Sequence, residues 1–143
     1  MDRSRRLCLG LGMSLVLRPA DATPEALRAA VAGFAAGTSV QRGRITLEIA
    51  PLVENGNAVP ISITVDSPMT ATDHVREIAL FTAQNPQLEV LHCRLGPHAG
   101  RAALSTRIRL ATSQQIVALA RLSDGSCWQA GADVVVTLAA CVE

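Results

Sequence analysis

Ile116-Val117-Ala118-Leu119-Ala120-Arg121-Leu122-Ser123-Asp124-Gly125-Ser126-Cys127-Trp128 is the stretch that decides the fold. Residues 116–122 read as a strand, and a second strand-like run follows at 134–138. Asp124-Gly125 between two such runs predicts a hairpin with a type I′ turn, which needs positive φ at both central residues. Working outward, apolar residues keep alternating with polar ones: Ile45, Leu47 and Ile49, then Ile61, Ile63 and Val65. Ile78 with Leu80, Leu88 with Val90, and Leu104 with Ile108 and Leu110 continue the pattern. Turn signals punctuate it at Glu54-Asn55-Gly56-Asn57, Ser67-Pro68, Asn85-Pro86 and Gly96-Pro97. About seven short strands at regular spacing, without helices between them, predict an all-β, antiparallel sandwich. Its sheet edges carry few charges, which favours pairing with another chain.

Upstream of Arg44 the period is helical. Thr23-Pro24-Glu25 supplies an N-cap hydroxyl, a proline at the first helical position and an acid in the first turn. Leu27, Val31 and Phe34 then share one face, and Gly37 is placed to end the helix. This N-terminal helix, residues 23–37, is expected to pack on the body of the domain at 44–138 or on a partner.

Residues 1–22 read as an export signal. Arg3, Arg5 and Arg6 form a basic leader, residues 7–17 are an apolar run, and Ala20-Asp21-Ala22 offers a cleavage site. The apolar run is too short to cross a hydrocarbon core of roughly 30 Å as a helix. Ser4-Arg5-Arg6-Leu7-Cys8-Leu9 resembles a twin-arginine motif. The expected destination is the bacterial periplasm, with no membrane contact in the mature form.

Composition excludes several functions. With 49% hydrophobic and 17% charged residues, the 143-residue chain is a single foldable domain rather than a disordered one. A net charge of +1, from scattered arginines with no lysine, leaves no footprint for nucleic acid. Two Phe, one Trp and no Tyr argue against recognition by stacking. His92-Cys93 with His98 is not a metal site, since strand alternation sends His92 and Cys93 to opposite faces and Gly96-Pro97 puts His98 in a turn. No nucleophile-elbow pattern appears. Trp128 reads as a packing anchor. No metal and no cofactor is implied.

The cysteines carry more. Cleavage of the export signal removes Cys8 and leaves Cys93, Cys127 and Cys141, an odd number for an exported protein. Cys93 and Cys127 lie in or beside strand-like runs, as structural cysteines that are either free thiols or a mutual disulfide. Cys141 is left over, followed only by Val142 and Glu143. A thiol there has no structural explanation.

The chain resembles SoxY, the sulfur-carrier subunit of the periplasmic thiosulfate-oxidising system. The resemblance rests on Glu54-Asn55-Gly56-Asn57-Ala58-Val59-Pro60 and Val65-Asp66-Ser67-Pro68-Met69-Thr70. Asp73-His74-Val75, Phe81 with Asn85-Pro86, Ser105-Thr106-Arg107-Ile108-Arg109-Leu110-Ala111, and Ser123-Asp124-Gly125-Ser126 with Trp128 extend it. It implies an immunoglobulin-like β-sandwich that pairs as a heterodimer with a SoxZ-like subunit. It also implies a carrier rather than an enzyme, with sulfur held covalently on Cys141. The other implied partners are a c-type cytochrome that conjugates thiosulfate to the thiol, a hydrolase that releases sulfate, and a dehydrogenase for the remaining sulfane sulfur.

The tail departs from the family. In place of Gly-Gly-Cys-Gly-Gly it reads Ala139-Ala140-Cys141-Val142-Glu143. Alanines and a β-branched valine remove the backbone freedom of glycine. Glu143 and the terminal carboxylate disfavour a nearby thiolate. The expectation is an arm, residues 139–143, that starts at Leu138, reaches at most about 10 Å to the thiol, and loads less readily. The alternative is a diverged binding or scaffold module without covalent carriage.

Overall fold

The computed structural model describes residues 23–140. The expected export signal, together with Cys141, Val142 and Glu143, lies outside the described residues. The first element is helix α1 (Pro24–Ala35), where the Thr23 hydroxyl accepts the Ala26 N–H at 3.1 Å. Ala36 takes the left-handed conformation that closes the helix (φ 50°), and Gly37 (φ 85°) follows it. The helix therefore ends at Ala35, two residues before the expected Gly37, with Ala36 making the left-handed turn.

Nine strands follow rather than about seven. β1 (Val40–Arg42), β2 (Ile45–Glu48), β3 (Leu52–Asn55), β4 (Val59–Val65) and β5 (Val75–Thr82) come first. β6 (Glu89–Arg94), β7 (Ala103–Ile108), β8 (Gln114–Leu122) and β9 (Cys127–Leu138) complete the chain. The larger sheet runs β1-β9-β8-β5-β6 with β3 also on β9, and the smaller runs β2-β4-β7. The expected all-β, two-sheet architecture is present, but it is not wholly antiparallel, because β1 and β3 both pair with β9 in parallel.

β4 shows how the sequence builds the core. Val59, Ile61, Ile63 and Val65 are buried at every second position, facing Ile78 and Leu80 of β5 and Ile116, Ala118, Ala120 and Leu122 of β8. β5 and β8 do not alternate, because α1 covers their other face. Leu27, with Val31 and Phe34 beside it, packs there on Ala79, Phe81, Val117 and Leu119. Strands covered on both sides read as continuous apolar runs. Burying Leu27 contributes about 2 kcal/mol to that docking.

The decisive hairpin forms, with a different turn. Among the described non-glycine residues only Ala36 and Met69 have positive φ, so Asp124 does not. Gly125 does (φ 85°), and its N–H bonds Leu122 O at 3.0 Å while Leu122 N–H bonds Ser126 O at 3.0 Å. This is a three-residue loop in which a single left-handed glycine ends a tight turn, rather than a two-residue type I′ turn. The Asp124 carboxylate is committed to Ser126, accepting its N–H at 2.8 Å and its hydroxyl at 2.6 Å. Those bonds hold the Asp124 carboxyl below its ordinary pKa. Trp128 closes the hairpin as a packing residue. It lies against the core with its Nε1–H on Ser126 Oγ at 3.1 Å and the Arg44 guanidinium 5.1 Å above its ring.

Candidate functional site

The end of β9 is fixed by segments distant in sequence. Leu52, Val53 and Asn55 of β3 stand in register with Val135, Val136 and Leu138. Val135 N–H bonds Pro51 O at 2.8 Å, the Thr137 hydroxyl bonds Glu54 O at 3.1 Å, and Gly56 N–H bonds Leu138 O at 2.9 Å. On the other side of the strand, Val136 N–H donates to Ser113 Oγ at 2.8 Å.

Beyond Leu138 the chain is still held. Gly56 O accepts Leu110 N–H at 2.8 Å, and Leu110 O accepts Ala140 N–H at 3.2 Å. Asn55 shapes the turn that makes this possible, its Oδ1 accepting the Asn57 N–H at 2.9 Å. Gly56 is required by closeness rather than by its dihedral angles. A Cβ there would fall on Leu110 O, 3.0 Å from Ala140 N and 3.1 Å from Val136 Cγ1. Ala140 is buried, whereas Ala139 and Leu138 are exposed. The arm expected to begin after Leu138 is therefore anchored to Ala140, one peptide bond before Cys141. Sequence reasoning saw Asn55-Gly56 as a turn but not as a clamp. Its bonds run between backbone groups of Gly56, Leu110 and Ala140, so no side-chain pattern marked it.

The remaining cysteines are free thiols on opposite faces of the larger sheet. Cys127 stands in register with Arg121, which pairs with Glu77, on the face that α1 covers. Cys93 stands in register with Ile78, which faces the sandwich core. Three strand spacings, about 14 Å, also separate them laterally. Of the two states left open by the sequence, a mutual disulfide is excluded, since its Cα atoms must approach within about 7 Å. Cys127 is wholly buried, and burial pushes its thiol above the ordinary pKa. Such a thiol is a poor nucleophile.

His92 and Cys93 do point to opposite faces. His92 joins a cluster under α1 that the sequence reading missed. Its Nε2 donates to Glu77 Oε2 at 2.9 Å, and its Nδ1 lies 3.3 Å from Glu89 Oε1. Arg121 Nε donates to Glu77 Oε1 at 3.0 Å, and its Nη2 donates to the Phe34 carbonyl at the end of α1. The His92 hydrogen bond holds the Glu77 carboxyl below the ordinary carboxylate range; burial opposes this, and Arg121 adds to the lowering. The signal was a charge inside each apolar strand, Glu77 and Arg121, marking where the helix ends over the sheet. Among the described residues no three His, Cys, Asp or Glu side chains gather as a metal site, and no helix is long and apolar enough to cross a membrane.

Fold and clamp together define a two-sheet β protein whose last described strand and the two residues after it, up to Ala140, are held against the body. The sequence matches the family model of sulfur oxidation protein SoxY over residues 30–141, a span that ends on Cys141. The chain belongs to that family. The sulfur carrier protein SoxY from Chlorobium limicola f. thiosulfatophilum superposes with a TM-score of 0.65 at 24% identity, covering 78% of this chain and 96% of that one. A superoxide reductase (neelaredoxin) variant from Ignicoccus hospitalis gives 0.59 at 14% identity, over 80% and 92%. A putative superoxide reductase from Thermotoga maritima gives 0.56 at 22%, over 68% and 87%. These structural likenesses are ones of fold. No curated protein matches the sequence.

Proposed function

We propose that this protein is a sulfur carrier of thiosulfate oxidation, holding thiosulfate-derived sulfur covalently on Cys141. The observation that carries the reading is the clamp. It brings the chain firmly to the surface at Ala140 and leaves Cys141 as the next residue, in a chain of the SoxY family. Cys93 and Cys127 do not compete for the role, being partly buried and buried in the sheet. The protein acts without catalysis of its own, in the periplasm, as a heterodimer with a SoxZ-like subunit.

The chemistry balances as follows. The Cys141 thiolate and the sulfane sulfur of one thiosulfate form an S–S bond, and the two electrons released pass to a c-type cytochrome. Water then cleaves the bond between that sulfane sulfur and the sulfonate at a hydrolase. Sulfate and two protons leave, and a persulfide anion stays on Cys141. A dehydrogenase oxidises that sulfane sulfur further. The carrier's part is to expose the thiolate and present each adduct, so loading follows thiolate fraction and access.

The test is mass spectrometry of the C-terminal peptide after incubation with thiosulfate, the cytochrome and the paired subunit. The expected result is a sulfonate-bearing adduct on Cys141 that reductant removes. Thiosulfate oxidation that persists with Cys141→Ser would overturn the reading and favour a scaffold module.

A further inference from the structure

The buried polar side chains among the described residues are Thr82, Asn85 and Gln114, and all three hold one wall. The Thr82 hydroxyl donates to Gln87 O at 3.2 Å, and Gln114 Oε1 accepts the Gln84 N–H at 2.9 Å. Asn85 Nδ2 donates to Arg109 O at 2.8 Å, while its Oδ1 accepts from Ala111 N–H and from Gln114 Nε2, each at 2.9 Å. The turn between β5 and β6 is thereby stapled to the end of β7 and the start of β8. Buried polar groups bonded in this way fix a single arrangement of the backbone around them. Asn85-Pro86 and Arg107-Ile108-Arg109 both belong to the stretches that carry the family resemblance, yet sulfur carriage on Cys141 uses neither.

Beside the stapled turn lies a cavity of about 460 Å³ between the edge strands β6 and β7. Pro86, Val90 and Ile108 give it apolar sides, and Arg107 and Arg109 give it charge. Ile108 and Leu110 are buried, so the two arginines alternate outward and stand on the same side of the chain. Neither guanidinium has an ion pair or a hydrogen bond among the described residues, and no Asp or Glu lines the cavity. Arginine pairs line two smaller cavities as well, but each has an acid at hand: Asp66 beside Arg44 and Arg101, and Glu25 on Arg28 at 3.7 Å. The charge of Arg107 and Arg109 is left to an external anion.

We propose that this cavity is a reversible binding site for a small tetrahedral dianion, sulfate or thiosulfate, held by Arg107 and Arg109. A guanidinium presents parallel N–H donors to a pair of oxyanion oxygens, and two guanidiniums match a double charge. The Gln87 carboxamide on the same lining makes no side-chain hydrogen bond and is a further, neutral donor. The stapled wall is formed in advance, which lowers the ordering cost of binding. Arg109 immediately precedes Leu110, whose carbonyl accepts the Ala140 N–H, so the bound dianion and the anchored end of the chain share one segment. Identifying the dianion with the substrate or product of sulfur loading rests on the carrier reading; the anion site itself does not.

The test is isothermal titration calorimetry on the chain carrying Cys141→Ser, which removes covalent loading, in chloride buffer at constant ionic strength. Sodium sulfate and sodium thiosulfate are titrated into that protein, into its Arg107→Gln, Arg109→Gln form, and into its Arg76→Gln, Arg94→Gln form. All four arginines are exposed, and the second pair removes the same charge outside the cavity. Saturable binding of at least one dianion is expected, weakened about 30-fold by the cavity pair and less than about twofold by the other. Tighter thiosulfate supports a site for incoming substrate, and tighter sulfate a site for released product. Absence of saturable binding, or equal weakening by both pairs, would overturn the site and leave carriage on Cys141 standing. A wild-type chain that binds the dianion as expected but takes up no sulfur covalently would remove the carrier reading alone.

Discussion

Gly56→Ala tests the clamp directly. The added methyl would strike Leu110 O and lie 3.0 Å from Ala140 N and 3.1 Å from Val136 Cγ1. Two of these three atoms are backbone, so no side-chain rotation relieves the clash. Either the Asn55-Gly56-Asn57 turn withdraws or the tail lifts. Withdrawal strains the bonds from Leu110 N–H to Gly56 O and from Gly56 N–H to Leu138 O, and lifting breaks that from Ala140 N–H to Leu110 O. At about 1 kcal/mol net for each bond, with about 1–3 kcal/mol for overpacking, the expected destabilisation is about 2–4 kcal/mol. Urea unfolding of the mature protein measures it, and amide exchange at Leu110 and Ala140 locates it. Gly33→Ala is the control, since a methyl at that helical position meets nothing within 4 Å. It should stabilise the protein by about 0.5–1 kcal/mol. If Gly56→Ala costs less than about 0.5 kcal/mol and leaves the Ala140 amide protected, the clamp argument is wrong.

Three other outcomes test the Glu77 cluster, the buried thiol and the composition of the tail. Glu77 has a depressed folded-state pKa, so its contribution is present above the ordinary carboxylate range and is lost as pH falls through the folded value. Amide exchange of α1 should accelerate over that acid window by about 1–2 kcal/mol of docking, and Glu77→Gln should flatten the dependence; an unchanged profile would count against the cluster. Cys127, buried with a raised pKa, should react with a chromogenic disulfide only as fast as the protein unfolds, tested in a Cys93→Ser, Cys141→Ser background; full native labelling within seconds would contradict its placement. Replacing the last five residues by Gly-Gly-Cys-Gly-Gly should raise the rate of sulfur loading several-fold by freeing the backbone beside the thiol and removing a carboxylate, and equal rates would show that tail composition does not limit loading.

Legibility in the sequence followed the amount of hydrophobic contrast. β4 and the alternating parts of β2 and β7 could be read because large aliphatic residues face one core. β9 was recognised only at residues 134–138, although it begins at Cys127. Its first half, Cys127-Trp128-Gln129-Ala130-Gly131-Ala132-Asp133, holds small residues whose burial leaves little signal. β1 and β3, at three and four residues, are defined by parallel pairing with a strand more than eighty residues away, which no local pattern encodes. The turn type was misread because Asp-Gly suits two loop lengths, and the choice lies with Ser126, which occupies the Asp124 carboxylate. The tail cysteine stood out by position alone. The clamp beneath it did not, because it consists of backbone contacts among residues 56, 110 and 140.

β9 is last in chain order, yet it is the hub of the larger sheet, pairing with β8 along residues 127–134, with β1 at its start and with β3 at its end. A chain halted before residue 134 would lack the partner of β3 and could not close the sheet around Gly56. Pairings of such sequence separation also form late in folding. The backbone at Ala140 is thus held only in a molecule whose larger sheet has closed around Gly56, so order at the end of β9 reports on pairings made across the whole sheet.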